Sequence, residues 1–381
     1  MYRNGLHGPG RRAIDRQIGY FRVMEDRIAD KYGQSRRRVT PKPRRTRLAD
    51  VAREADVSTA TVSRALRGAS GVRPELRERI LAIANRMKYE RDPVGLSLRS
   101  GKTHLIGVWV ESVGNNGSAR LVSALTDTLH PHGYAILVSE YSNDRDEDAS
   151  RIRSLAQRRP DYMVVLHPRR IDEFEELVAQ GHQIILISAV EPEAWDGALI
   201  SVDSSPSRRE LARHLVELGH RRGLVLLPVR RIGRPGWDVL RTAAEQEGLP
   251  LEVEIAAFAG NAAAPGLTAE EVADLVRAPD GPTFLQVNEA LAPILLEGLK
   301  NAGLRVPDDV SVMTTGTPLW ANIYDPPLNA TDIDYYLCGV LAAEVILDLE
   351  SGKPAQRRVV SGTYTRRQSV GPARKTLSAR P

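Results

Sequence analysis

The chain of 381 residues has one cysteine, Cys338, so no disulfide can form within it. That usage fits a reducing compartment. Cys338 itself reads as a small packed residue on a late helix rather than a reactive thiol. No apolar run is long enough to span a bilayer, and the first residues lack the hydrophobic segment of a secretion signal. No membrane association is expected, the expected location is the cytoplasm, and an exported binding protein is argued against. Catalytic motifs are missing too. His104, His167, His182, His214 and His220 are scattered over different expected elements, with no HExxH spacing. The stretch GNAAAPG (Gly260 to Gly266) is followed by no Lys-Ser/Thr, so it reads as a loop and not as a phosphate cradle. No serine stands in a GxSxG elbow. An enzyme is therefore not expected, nor is a metal or other cofactor.

What is present is size and positive charge. With 42% hydrophobic and 27% charged residues, the chain can build a large two-lobed domain and a small one beside it. The net charge is +5, which says little until it is located. Basic residues crowd the N-terminal third, among them Arg36, Arg37, Arg38, Lys42, Arg44, Arg45 and Arg47. A sequence-independent attraction to phosphates follows, falling steeply with salt. For residues 1–45 the plainer reading is a solubilising tail, disordered or weakly helical through Ile18, Phe21, Met24 and Ile28. The alternative is an upstream start site, with part of this segment absent from the natural product.

The segment Leu48 to Gly68, LADVAREADVSTATVSRALRG, carries the most information. Leu48, Val51, Ala52 and Ala55 recur at helical spacing and form one apolar face. Ser58 is a good N-cap for a second helix, whose own apolar face is Val62, Ala65 and Leu66. Its opposite face presents Thr59, Ala60, Ser63, Arg64 and Arg67. Small polar side chains and arginines on an exposed face suit a helix that enters a DNA major groove. Without further support, an ordinary helical hairpin with a solvated basic face explains the same pattern. A third helix is expected from Pro74 to Met87, closing the core with Leu76, Ile80, Ile83, Ala84 and Met87. Asp92 and Pro93 can start a short hinge helix that Gly101 can end. Gly95 makes that helix marginal alone. Leu96 and Leu98 have no core to enter, which fits an interface.

The three motifs LADVAREADVSTATVSRALRG, LRERILAIANRMKY and SLRSGKTHLIGV together resemble the DNA-binding headpiece and hinge of the LacI/GalR family. ARHLVELGHRR, GLRVPDDVSVM and DPPLNATDID follow in the order of family landmarks, so the resemblance covers all but the first part of the chain. It implies a transcriptional regulator, most simply a repressor, bound as a homodimer to a near-palindromic double-stranded operator and associated with the nucleoid. It also implies roles. Ser58 caps the second helix, Thr59 and Ala60 face bases, and Arg64 is the candidate for a bidentate guanine contact. Thr61, Ser63, Arg67 and Arg73 are expected on phosphates. Leu98 takes the place of the leucine that wedges into the minor groove. Because Gly95 raises the cost of folding the hinge, replacing it with Ala is expected to tighten operator binding.

Beyond Thr103, short apolar runs alternate with helical stretches such as Ala119 to His130 and Ala149 to Arg158. Such alternation implies parallel sheets with right-handed crossovers. The fold class is α/β: a three-helix headpiece at 46–90, a hinge at 91–103, and a two-lobed domain at 104–370 that resembles periplasmic binding proteins. The helix Tyr335 to Leu349 is expected to return to the first lobe, one strand near Val359 to Thr365 to finish the domain, and 371–381 to form a flexible tail. Ligands in such lobes bind beyond the carboxyl ends of the strands. That places Asn115, Asp203, Arg234, Trp237, Asn288, Glu289 and Thr317 as candidate effector residues. For Trp237, packing of a helix on its lobe is the simpler role. Here the chain departs from the family. Asn115-Asn116-Gly117-Ser118 replaces a proline and aromatics, Asn288-Glu289 replaces Asn-Asp, and Thr315-Gly316-Thr317-Pro318 replaces Gly-Phe-Asp-Asp. Two explanations stand: an effector, sugar or other metabolite, bound through a different set of residues, or a pocket that has lost its effector. The tail RRQSVGPARKTLSARP has no leucine zipper, so a dimer is expected and not a tetramer.

Overall fold

A computed structural model describes residues 46–89, 101–142, 144–190, 195–228, 239–259 and 266–375. The chain divides into two units, Met1–Gly95 and Leu96–Pro381. The expected helix at 14–32 and the hinge residues Gly95, Leu96 and Leu98 lie outside the described residues.

The first unit is a three-helix cluster: α1 (Leu48–Ala55), α2 (Thr59–Leu66) and α3 (Pro74–Arg86). Each starts where its chemistry allows. Asp50 accepts from the Arg47 amide at 2.9 Å, Ser58 Oγ accepts from the Thr61 amide at 3.1 Å, and Pro74 opens α3, where its missing N–H costs nothing. The turn between α1 and α2 begins at Asp56, in the left-handed region at φ 54°. Val51, Ala52, Ala55, Val62, Ala65, Ile80, Ile83 and Ala84 are buried together, with Leu66, Leu76 and Met87 packed on them.

The second unit has two α/β lobes. Lobe 1 takes β1 (Leu105–Val110), α4 (Asn116–Leu129), β2 (Ala135–Glu140), α5 (Arg145–Ala156), β3 (Tyr162–Leu166), α6 (Asp172–Ala179), β4 (Ile184–Ser188) and β5 (Ala198–Asp203). The chain then crosses. Lobe 2 takes α7 (Ser205–Glu217), β6 (Arg222–Leu227), α8 (Val239–Gln246), β7 (Glu252–Ala257), α9 (Ala269–Arg277), β8 (Phe284–Asn288), α10 (Ala292–Asn301), β9 (Ser311–Thr315), α11 (Leu319–Ile323) and β10 (Asn329–Asp332). A second crossing returns α12 (Tyr335–Glu350) and β11 (Arg357–Ser361) to lobe 1, and a third sends β12 (Thr363–Thr365) to lobe 2. The sheet orders are β11-β5-β4-β3-β1-β2 and β12-β10-β9-β8-β6-β7, parallel throughout except for β12 against β10. Strands buried on both faces, such as Tyr162–Leu166 and Ile184–Ser188, explain the unbroken apolar runs of the sequence. Cys338, Ala342, Ala343, Val345 and Ile346 of α12 enter the lobe 1 core, and burial pushes the Cys338 thiol up to about 12, as suits a packing residue.

Four expectations need correction. The single strand near Val359 to Thr365 is two strands in different sheets, because the chain crosses between lobes at Gly362 and buries Val360 in one and Tyr364 in the other. Residues 371–374, expected in a flexible tail, are docked: Gly371 donates to Ser311 Oγ at 3.1 Å, Ala373 to the Leu218 carbonyl at 2.8 Å, and Arg374 Nη1 to the Asp309 carbonyl at 2.8 Å. α5 begins at Arg145, four residues before Ala149, because Asp144 accepts from the amides of Asp146 and Glu147, both at 2.9 Å. α4 begins at Asn116 rather than Ala119, in a sequence of poor helix formers, for a reason found in the cleft.

Candidate functional site

On the second helix, Val62 and Ala65 are buried while Ser58, Thr59, Ala60, Arg64 and Arg67 are exposed, with Thr61 and Ser63 half-buried. The Ser58 cap fixes the first turn, and the two hydroxyls of Ser58 and Thr61 lie 2.9 Å apart. The two arginines differ. Arg67 folds back, its Nε donating to the Ser63 carbonyl at 3.2 Å. Among the described residues the guanidinium of Arg64 makes no hydrogen bond or ion pair, and it extends into solvent one turn from the capped end. Arg73 is exposed at the start of α3. Small residues at the N-terminal end, an outstretched arginine behind them and flanking cations can meet both base edges and phosphates.

The cleft between the lobes has a volume of about 860 Å³, within the range of small-molecule sites. Of the candidate effector residues, Asn115, Asn288 and Glu289 line it. Asp203 and Thr317 do not, and this corrects their placement. Asp203 Oδ1 accepts from the Ser205 amide at 2.9 Å and its carbonyl accepts from Gly362 at 2.7 Å, so it ties the first and third crossings together. Thr317 is occupied with Asp332 through its side chain and accepts from Asn116 Nδ2 through its carbonyl at 3.4 Å. Arg234 and Trp237 lie outside the described residues.

Glu289 spans the cleft. It follows β8 in lobe 2, and its Oε1 accepts from the Asn116 amide at the first position of α4 in lobe 1, at 3.1 Å. A carboxylate there satisfies a donor that the helix cannot and favours the positive end of its dipole. That is why α4 starts at Asn116. Gly316 makes room: its φ is 92°, and a Cβ there would sit 2.4 Å from Glu289 Oε2. A second bridge is Arg120 of α4, 3.7 Å from Asp332 and 2.8 Å from Asp334. Burial raises the Asp332 carboxyl above its ordinary range.

The cleft also holds residues that the sequence reading did not name as ligands, two of them, His167 and Arg169, where the VVLHP strand gives way to a loop in which ligand contacts are expected. His167, at φ 48° after β3, meets the Tyr335 hydroxyl through Nε2 at 2.8 Å. Tyr335 opens α12 and lies over Gly117, where a Cβ would come within 2.6 Å of the ring. Arg169 stacks on Tyr141, 4.6 Å from the ring centre, and donates to the Ser142 carbonyl at 2.6 Å. Arg208 lines the cleft from the first turn of α7. One signal for Arg208 was available: Pro206 marks a helix start, and a cation in the first turn opposes the helix dipole.

Residues 47–92 match the family described as bacterial regulatory proteins, lacI family, and residues 212–370 match the periplasmic binding protein-like domain. The chain is similar to catabolite control protein A of Staphylococcus xylosus, 23% identical over 308 residues that cover 78% of this chain and 90% of that one. In fold it is similar to the lac repressor dimer bound to operator and the anti-inducer ONPF, with a TM-score of 0.72 and 21% identity over 86% of this chain and all of that one. It is also similar to a LacI family transcriptional regulator from Enterococcus faecium with bound ribose, with a TM-score of 0.59 and 20% identity over 71% of this chain and all of that one.

Proposed function

Because the chain belongs to the LacI/GalR family of DNA-binding transcriptional regulators, we propose that it acts as a homodimeric repressor whose grip on a near-palindromic operator is set by a small molecule in the interlobe cleft. The observation that carries the DNA-binding half is the second helix: capped by Ser58, buried through Val62 and Ala65, and open through Thr59, Ala60 and Arg64. In this reading Arg64 forks onto a guanine, Ala60 offers apolar contact to a thymine methyl, and Thr61, Ser63, Arg67 and Arg73 hold phosphates. The retracted Arg67 and the outstretched Arg64 fit that division of labour. Leu98, from the hinge, is the proposed minor-groove wedge.

A dimer is supported by α11, where Leu319 is 88% and Ile323 84% exposed, side chains that a lone molecule leaves in water. The operators of two-fold symmetric proteins have matching symmetry. The effector half is supported by the cleft itself, with polar residues from both lobes converging on one cavity. Lobe closure around a ligand is the step that can shift the dimer and the hinge. The Glu289 bridge favours a second reading, in which an internal carboxylate holds the lobes together and DNA binding is constitutive or partner-controlled.

Selection of genomic fragments with the purified full-length protein, followed by operator titration with and without a metabolite library, separates these readings. A near-palindromic site whose affinity shifts with one compound establishes the first. A palindromic site indifferent to every compound establishes the second. No selected site at all rejects both.

A further inference from the structure

Arg208 stands apart from the other arginines of the cleft by being both half-buried and unpaired, whereas Arg145, which also lines it, is exposed. Arg120 is held by Asp332 and Asp334, Arg169 lies 3.7 Å from Asp148, and Arg170 pairs with Asp172 and Glu173. Among the described residues the Arg208 guanidinium has neither ion pair nor hydrogen bond, and its Nε is buried with no acceptor. Ser207 Oγ is spent on the Ser204 carbonyl at 2.9 Å, and the Tyr335 hydroxyl lies against His167.

A buried donor without an acceptor is rare, and here it belongs to a half-buried cation that has no counter-charge among the described residues. The guanidinium stays protonated there, since burial lowers its pKa only to about 10. Its place on α7 adds to the imbalance. Arg208 lies in the first turn of α7, beside the positive end of the helix dipole, and Ser204 and Ser207 of the same turn also line the cleft. Charge and dipole therefore point the same way and leave one corner of the cavity strongly positive. Glu289, which also lines the cleft, has its Oε1 engaged by the amide end of α4.

We propose that the cleft takes an anionic small molecule whose carboxylate or phosphate oxygens pair with the Arg208 guanidinium. This rests on the reading of the cleft as an effector site and names the class of effector. A planar fork of N–H donors matches either oxyanion bidentately. The His167–Tyr335 pair stands beside the oxyanion, and Asn115 and Asn288, each already holding one partner (Glu111 and the Leu291 amide), line the cleft along the uncharged body of the ligand.

The test uses the full-length protein, its Arg208→Met and Arg208→Lys variants, and thermal melting at matched ionic strength in chloride, inorganic phosphate or acetate. Phosphate or acetate is expected to raise the melting temperature of the parent above that in chloride. The Met variant should show no such gain and the Lys variant a smaller one. Calorimetric titration with glucose, gluconate and glucose 6-phosphate forms the second arm. An acid or phosphate that binds the parent should lose roughly 10- to 100-fold in affinity with Met at this position. Gluconate alone binding points to a carboxylate effector, glucose 6-phosphate alone to a phosphorylated one. Equal anion response in the parent and the Met variant, or tighter binding of glucose than of either charged relative, overturns the assignment. In that case a neutral compound that still shifts operator affinity leaves the effector reading standing. Indifference of operator affinity to every compound removes the effector reading itself.

Discussion

The second helix of the headpiece and the cleft between the lobes each present an arginine, Arg64 and Arg208, with no partner among the described residues, and the two are kept in different ways. Arg64 reaches into water, where an uncompensated charge costs nothing and a polyanion can approach from outside. Arg208 is half-buried in the cleft with its Nε shut off from water, where an uncompensated charge is costlier. A solvated cation is a general attractor made selective by its neighbours, Thr59 and Ala60, at the rigid end of a capped helix. A cation set into a cavity is selective by itself, because whatever pairs with it must fit the cavity. On the proposed roles of Arg64 and Arg208, the same residue type serves two kinds of recognition, and burial decides which.

The comparison breaks most sharply at Arg64. Its replacement by Ala is expected to cost about 1–3 kcal/mol of specific operator affinity and leave binding to random duplex nearly unchanged, read by gel-shift titration against both DNAs. Arg67→Ala should instead weaken both DNAs alike and flatten the salt dependence. If Arg64→Ala weakens both equally, Arg64 is a phosphate ligand and the contrast with Arg67 disappears. Next in size is Ser58→Ala, which removes the acceptor for the Thr61 amide and should destabilise the headpiece by about 1 kcal/mol, read as lower protection of its amides with cleft amides unaffected. In the cleft, Glu289→Gln keeps the bridge but removes its charge. Hydrogen exchange at the Asn116 amide should speed up about 5-fold, equivalent to about 1 kcal/mol, and an unchanged rate would show that the bridge does not hold α4.

The smallest effect concerns His220. Its ring is buried, with Nε2 donating to the Gly371 carbonyl at 2.9 Å and Nδ1 2.8 Å from the Thr283 hydroxyl, and burial lowers its pKa below the ordinary 6.5. The unfolded chain therefore takes up a proton first. Its contribution is full above about 6.5, is lost as pH falls toward the lower folded value, and levels off below that. Melting the parent and His220→Gln between pH 7.5 and 5 should show the steeper fall in the parent. Parallel curves would remove His220 from the account.

The headpiece was legible because everything that builds it is local. Leu48, Val51, Ala52 and Ala55 announce one face, Ser58 a cap, and Pro74 a third start, all within one stretch of sequence. The strands of the lobes were legible for a related reason, since burial on both faces leaves unbroken apolar runs. The short strand Asn329–Asp332 escaped because its inward residues, Asn329 and Thr331, are polar, and Asn329 is satisfied by Tyr364 at 2.8 Å, a partner from another element. The cleft was only half legible. Asn115, Asn288 and Glu289 follow strand ends, where an α/β lobe displays its loops. His167, Arg208 and Tyr335 meet through chain crossings, which no local periodicity records. Asp203, which looked like a ligand from its position, serves the crossing itself.

Those crossings also order events on the ribosome. Among the described residues the headpiece core draws on those between Leu48 and Tyr89, so it can form once that stretch has emerged. Lobe 1 begins at Leu105, yet its core includes Cys338 to Ile346 and its sheet ends with Arg357–Ser361. Translation at roughly 5–20 residues per second leaves lobe 1 unfinished, its edge strand β5 bare and the face of α4 uncovered, until nearly the whole chain has been made. The nascent molecule therefore passes through a stage with a finished reading head and an open hydrophobic lobe, the form on which chaperones would act.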